Sequence, residues 1–287
     1  MDKKLTYTNS RTHSIPDKLV SVVIPTKNSG ATLEATLSSI VSQTYKAIEI
    51  IIVDNHSTDN TLEIAHSYTD KVFTYGPERT SQLNFGIKQA LGDYIYRVDS
   101  DFVLDRTVLA EAVEQCESEK CAAVAIHNTS DDTVSFWSRV RKLERDMYKH
   151  DSLNVAARFF RKDILDKVGL FNESMVAGED YDLHNRVVAL KLKVGTINAQ
   201  ETHLGEPKSL SEILKKHYYY GKTLRLFIHN NKTRGVKQLM PVRPAYLKHW
   251  KMFVRHPLLA AGFVVYQITR YTAALTGYAI AAIRGSR

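Results

Sequence analysis

The sequence predicts an α/β fold: a mostly parallel sheet flanked by helices, followed by a basic helical extension. Three observations carry this expectation. Short β-branched apolar runs alternate with stretches of helical spacing from Val20 to Ile126. The runs are continuously apolar, as strands covered on both faces must be. Polar loops follow three of them, TKNSG after the first, DNHSTDNT after the second and DSD after the fourth. Sheets of this kind bind ligands beyond those strand ends.

The elements follow in order. Val20 to Pro25 (VSVVIP) reads as a buried strand, and Ala31 to Gln43 as a helix with Leu33, Leu37, Ile40 and Val41 on one face. Ile48 to Val53 is a second strand, Thr58 to Tyr68 a helix and Lys71 to Tyr75 a third strand. Ser81 to Leu91 is helical through Leu83, Phe85, Ile87 and Ala90, and Asp93 to Val98 is a fourth strand. A helix over Thr107 to Ser118 and a strand over Ala122 to Ile126 come next. After Asn128 the alternation loosens. Phe136 to His150 reads as a basic amphipathic helix, Val155 to Phe160 as a strand, and a short helix runs to Val168. Gly178-Glu179-Asp180 opens a helix to Lys191, and Val194 to Ala199 is the last strand. One helix over Leu210 to Ile228 and a long apolar one over Leu258 to Ile283 complete the chain. These elements divide it into an N-terminal tail, 1–19, a sheet domain, 20–207, and a basic helical region, 208–287.

Composition narrows the function. With 44% hydrophobic and 24% charged residues, the 287-residue chain is of ordinary globular type, not disordered. Cys116 and Cys121 have no metal-type spacing and read as free thiols of a reducing compartment. The stretch MDKKLTYTNSRTHSIPDK lacks the apolar core of a signal peptide, so a cytoplasmic location is expected. The net charge of +8 is one-sided. From Lys208 to His256 there are twelve lysines and arginines against one acid, Glu212, and three arginines without an acid follow. Residues 1–207 are therefore net negative. A basic tail on an acidic body suits an anionic membrane surface, a phosphorylated lipid or nucleic acid.

Asp99 and Asp101, in YIYRVDSDFVL, stand at the end of the fourth strand. In an extended segment residues two apart point to one side. Two carboxylates there invite a hard divalent cation, Mg²⁺ or Mn²⁺, which takes oxygen ligands and leaves positions for phosphates. D-x-D also occurs in ordinary surface turns. In VDNHSTDNT, Ser57, Thr58 and Asp59 suit a helix cap, whereas Asp54 and Asn55 are left to meet a nucleobase edge. Glu179 and Asp180 favour a helix N-terminus electrostatically and also offer a general base.

Taken together, VSVVIPTKNSGATLEATLSSIVSQTY, IEIIIVDNHSTDNTLEIA, GPERTSQLNFGIKQALGDYIYRVDSD and VGLFNESMVAGEDYDLHNRV resemble the family 2 glycosyltransferases. The likeness runs from about Val20 to Leu204. It implies a GT-A (Rossmann-like) fold, a nucleotide-sugar donor and an inverting transfer. It places Pro25, Thr26 and Asn28 at the base and ribose, with Asp54 and Asn55. The relatives commonly carry a second acid where this chain has Asn55. Arg79 and Asn84 would lie near the ribose and diphosphate, Asp99 at the ribose or metal, and Asp101 on the metal. Asp180 would be the base and Glu179 would orient the acceptor. His203, in ETHLGE, fits a further metal ligand or a diphosphate contact.

The tail bears on the acceptor. Lys215 to Lys222 (KKHYYYGK) joins charge and aromatics on one helix, suiting a membrane interface or a phosphate. Leu258 to Ile283 is long enough to span a bilayer, but Gln267 and Arg270 at its centre favour an interfacial helix, a buried core helix being the further possibility. The expected acceptor is therefore lipid-linked or a cell-surface glycan precursor. Two other readings compete. A D-x-D phosphatase of the haloacid dehalogenase type would carry its motif near the first strand, not after the fourth. A basic nucleic-acid-binding protein would leave the aligned loops without a purpose, so no nucleic acid is expected.

Overall fold

The computed structural model of the chain describes residues 18–285. All but the last two residues of the expected 1–19 tail lie outside the described residues. The first half alternates as expected: β1 (Val20–Thr26), α1 (Leu33–Val41), β2 (Ile48–Asp54), α2 (Thr61–His66), β3 (Val72–Thr74), α3 (Arg79–Gln89) and β4 (Tyr94–Arg97). Then come β5 (Phe102–Leu104), α4 (Val108–Ser118), β6 (Ala123–Ser130), α5 (Phe136–Asp146), β7 (Ala157–Arg161), α6 (Lys162–Val168), α7 (Glu179–Ala189) and β8 (Val194–His203). The C-terminal region is helical: α8 (Leu210–Gly221), α9 (Leu224–Leu239), α10 (Pro244–Lys248), α11 (Trp250–Arg255) and α12 (Pro257–Gly285).

The strands form one sheet in the order β3-β2-β1-β4-β7-β6-β8-β5. The half from β3 to β4 is parallel throughout. Beyond β4 the sheet is mixed: β7 runs antiparallel to both β4 and β6, β8 is parallel to β6, and β5 is antiparallel to β8. Parallel pairing therefore dominates only where strands and helices alternate. The two-residue side-chain period of the strands divides the core. Val22, Ile24, Ile50 and Ile52 pack beneath α1 and α4, whereas Val23, Ile51 and Val53 pack with Leu83, Ile87, Leu183 and Val187 on the other face.

Three elements depart from the sequence expectation. The strand β5 is three residues long, too short for any periodicity to declare it. The single helix expected over 210–228 is two, α8 and α9, parted after Gly221. The basic helix α5 is not solvated along its charged face, because Arg141 and Arg145 turn inward toward Glu144 and Glu206.

The long helix α12 is docked on the sheet domain. Phe263, Tyr266, Gln267, Arg270 and Ala273 are buried on one face, whereas Leu258, Val264, Val265, Ile268 and Leu275 are exposed on the other. It is long and apolar enough to cross a membrane by length and composition, yet its central charge faces protein. Arg270 Nη1 lies 3.0 Å from Oε1 of the buried Glu144 on α5. Close approach to α8 depends on glycine: a Cβ at Gly277 would stand 2.1 Å from the Tyr218 carbonyl oxygen. Gly277→Leu should therefore force α12 from α8 and cost about 1–3 kcal/mol. The conservative change Ile268→Leu on the exposed face should leave thermal unfolding, followed by circular dichroism, unchanged.

Candidate active site

A cavity of about 590 Å³ lies between the sheet domain and the C-terminal helices. Asp99, Glu179 and Asp180 line one end, and α8, α9 and α12 supply the opposite wall. The two acids at the start of α7 follow Gly178, whose φ of +77° is a left-handed conformation that glycine adopts at little cost. A Cβ there would also stand 2.9 Å from the Phe227 ring, so glycine lets α9 close over the helix start.

The D-x-D segment is not extended. The Phe102 N–H donates to the Asp99 carbonyl at 3.3 Å, closing a turn. The Ser100 carbonyl is pinned by the Thr32 and Thr36 hydroxyls, each at 2.9 Å. The two aspartates accordingly do different things, and the same-side expectation is corrected. Asp99 accepts from three guanidiniums: Arg79 at 2.7 Å, Arg97 at 3.2 Å and Arg158 at 3.1 Å. Burial alone would raise its pKa, but the charges of Arg79, Arg97 and Arg158 hold it well below the usual carboxylate range. Both Asp99 oxygens are thus engaged by guanidiniums.

Arg97 is the hub. It is 2% exposed, and its second terminal nitrogen donates to Asp180 Oδ2 at 3.1 Å. Burial and the neighbouring Arg158 lower its pKa to about 10, so it remains a cation at neutral pH. Arg79 bridges Asp99 to Glu179 from the start of α3. The other oxygen of the buried Glu179 has no hydrogen-bond partner.

Asp101 faces His203 instead, Oδ2 to Nε2 at 3.1 Å. The missed strand β5 produces this pairing, since it aligns Phe102 with His203 across β8. His203 Nδ1 lies 2.7 Å from Glu206 Oε1. Burial pushes the Glu206 carboxyl up, but the His203 hydrogen bond and the charge of Arg145 outweigh it and bring it to about 2. The His203 ring therefore stands between two carboxylates, Glu206 at Nδ1 and Asp101 at Nε2. Among the described residues no three acids, histidines or cysteines form a closed metal cage.

The remaining expected site residues hold the strand ends together and do not line the cavity. Asp54 is fully buried and accepts from the Thr26 hydroxyl at 2.8 Å and the Ser57 N–H at 2.8 Å. Asn28, with a φ of 48°, accepts from the Thr58 N–H at 2.8 Å. Asn55 donates to the Pro77 carbonyl at 2.5 Å. Pro25 is paired with Val53 inside the sheet. Asn84 is corrected more fully: its amide binds the backbone of Phe171 from both ends, at 2.9 Å each, so it fastens a loop and is not free for a diphosphate.

Residues 21–170, just over half of the chain, match the family model described as "Glycosyl transferase family 2". The chain belongs to that family. An uncharacterized glycosyltransferase of Rickettsia felis is 26% identical over 217 residues, 68% of this chain but only 35% of that protein. A second relative is the UDP-Glc:alpha-D-GlcNAc-diphosphoundecaprenol beta-1,3-glucosyltransferase WfaP of Escherichia coli. It is 31% identical over 197 residues, 65% of this chain and 76% of its own length. The chain thus spans less than two thirds of some curated relatives. The fold matches the mannosyltransferase PcManGT of Pyrobaculum calidifontis, solved with GDP-Man and Mn²⁺. The TM-score is 0.62 at 18% identity, covering 93% of this chain and 86% of that one. The fold is therefore GT-A.

The sequence reading passed over Arg97, Arg158 and Glu206. A signal was present for the first two: each is a lone arginine inside an apolar strand, YIYRV and AARFF, and a buried guanidinium must have acids around it. Glu206 had none. The depressed Glu206 gives a pH test. Its stabilising effect is complete above its unfolded pKa near 4.5 and is lost as pH falls toward 2. Glu206→Gln should cost up to about 3 kcal/mol at neutral pH. The gap between the two proteins in thermal melts should narrow steadily below pH 4.5.

Proposed function

We propose that this glycosyltransferase moves a sugar from a nucleotide-diphosphate donor to a hydroxyl of a lipid-linked or cell-surface glycan acceptor, with inversion. The observation that carries the reading is the Arg97 bridge, which fixes Asp180 and Asp99 in one cavity wall. The donor lies at the carboxyl ends of β1, β2 and β4, beside Arg79. Asp54, Asn55, Thr26 and Asn28 shape that edge through their mutual hydrogen bonds. Asp180 is the base. As the acceptor oxygen bonds to the anomeric carbon, the bond to the donor phosphate breaks and its electron pair leaves with the nucleoside diphosphate. The hydroxyl proton passes to the Asp180 carboxylate, which Arg97 orients. The unpartnered Glu179 oxygen would accept from a sugar hydroxyl.

Asp101 Oδ2 and His203 Nε2 are an oxygen and nitrogen pair fit for Mg²⁺ or Mn²⁺. A bound divalent ion supplies charge stabilisation to a departing diphosphate. The Mn²⁺ in the PcManGT complex supports this cofactor class. A diphosphoundecaprenol acceptor in the name of WfaP supports a lipid-linked acceptor.

Asp180→Asn should leave donor binding intact and cut turnover by about 10²–10⁴-fold. Asp101→Ala should abolish the divalent-ion dependence of donor binding. Nucleoside diphosphate release across a panel of nucleotide sugars, with calorimetric binding, reads both. Full turnover in Asp180→Asn would remove that residue from the base role.

The exposed apolar face of α12 and the basic residues 208–287 support a position at an anionic membrane surface, on its cytoplasmic side. In flotation assays the protein should rise with phosphatidylglycerol vesicles. Recovery with phosphatidylcholine vesicles alone should be several-fold lower, since each basic residue near an anionic surface adds about 1 kcal/mol. Equal recovery with both would refute the electrostatic part.

A further inference from the structure

The cavity is electrically divided. At the catalytic end Arg79, Arg97 and Arg158 meet Asp99, Glu179, Asp180 and Glu201. Of these acids Glu201 is buried behind the wall, so three arginines are matched by three lining carboxylates and little cationic capacity is left for a diphosphate. At the other end five cations face two acids. Arg141, Arg145, Lys216, Arg243 and Arg270 all line the cavity, with Glu206 beside them and Glu144 buried behind.

Those two acids are already committed. Glu144 Oε1 accepts from the Tyr148 and Tyr246 hydroxyls at 2.8 Å each and pairs with Arg270, and Oε2 pairs with Arg141 at 2.6 Å. Glu206 serves His203 and Arg145. Cationic capacity is left over. Arg270 is 9% exposed, and its Nη2 is buried without any hydrogen-bond partner. Lys216 has no carboxylate partner among the described residues; its ammonium lies 5.9 Å from the Tyr220 ring centre. Burial, with the charges of Arg141 and Arg145, pushes its pKa down.

We propose that Arg141, Arg145, Lys216 and Arg270 bind the diphosphate of a lipid-borne acceptor, whose apolar chain leaves along Phe227 and Leu275. This rests on the glycosyl-transfer reading above and gives its acceptor a place. A surplus of about three positive charges suits a diphosphate, and guanidiniums bind such groups without a metal. The wall argues for a lipid. Leu275 lines the cavity and is also 62% exposed, on the same outer face of α12 as Ile268 and Leu258. The mouth of the cavity therefore opens beside an apolar surface, where a chain can pass from one to the other.

Calorimetric titration of the full-length protein in detergent tests this, with farnesyl diphosphate, farnesol, pyrophosphate and uridine diphosphate plus Mg²⁺ as probes. Farnesyl diphosphate should bind at least about tenfold more tightly than farnesol or pyrophosphate. It should still bind when uridine diphosphate is present at saturation. Lys216→Gln alters an unpaired side chain and so leaves the fold intact. It should weaken farnesyl diphosphate about tenfold, the loss of one charge-assisted contact, with uridine diphosphate affinity unchanged. Leu275→Asp should weaken farnesyl diphosphate and spare pyrophosphate. Mutual exclusion of the two diphosphates would overturn the proposal by assigning the cations to the donor. Equal affinity for pyrophosphate and farnesyl diphosphate would overturn the lipid. Unchanged farnesyl diphosphate affinity in Lys216→Gln would remove the basic cluster. If farnesyl diphosphate binds as described but no nucleoside diphosphate binds, the site stands and the donor reading fails instead.

Discussion

Arg97 lies in the sheet with its guanidinium between Asp99 and Asp180. Taking such a charge out of water is costly, and leaving one member of the pair alone costs roughly 3–5 kcal/mol. The fold meets that cost with geometry. The strand β4 is the seam of the sheet, parallel to β1 on one side and antiparallel to β7 on the other. The antiparallel side sets Tyr96 opposite Phe159 and so brings Arg158 next to Arg97. Two guanidiniums that close repel one another, which helps to explain why Asp99 and Glu201 are both needed around them. Asp99 in the D-x-D turn and Asp180 at the start of α7 both meet this one buried cation.

The same logic recurs in the C-terminal region with the signs exchanged. Glu144 is a fully buried carboxylate, and its charge is held by Arg141 and Arg270 with two tyrosine hydroxyls. Burial raises its pKa, but the charges of Arg270, Arg141 and Arg243 outweigh it and hold the group below the usual carboxylate range. One network thus orders α7 against the sheet and the other orders α12 against α5. The cavity is the space between the two.

How far this was legible in the sequence varies with the kind of interaction. The buried strands Val20–Thr26 and Ile48–Asp54 announced themselves, because continuous β-branched runs leave little else to form. Asp99, Asp101, Asp180 and His203 stand out in the sequence, and the fold brings Asp99 and Asp180 together on Arg97 and Asp101 against His203. The division of labour between the two aspartates was not legible. It depends on the turn closed by Phe102 and on β5, a three-residue strand recruited by β8 across a hundred residues of sequence. The partners of Asn84 and Asp54 were equally hidden, because a polar group near a ligand loop looks the same whether it meets a ligand or a backbone.

Arg270 shows what tertiary context adds to a hydropathy pattern. From sequence it was a charge in the middle of an apolar helix, an argument against a clean span. In the fold it is the helix's attachment, paired with Glu144 and lining the cavity. A helix that left the domain to cross a bilayer would carry Arg270 into hydrocarbon and take from the buried Glu144 one of its two guanidinium partners, two unfavourable changes. The docked arrangement avoids both while leaving Leu258, Val265, Ile268 and Leu275 facing outward. A lipid surface that engages this face would therefore meet the helix as part of the sheet domain, with the cavity mouth at its edge.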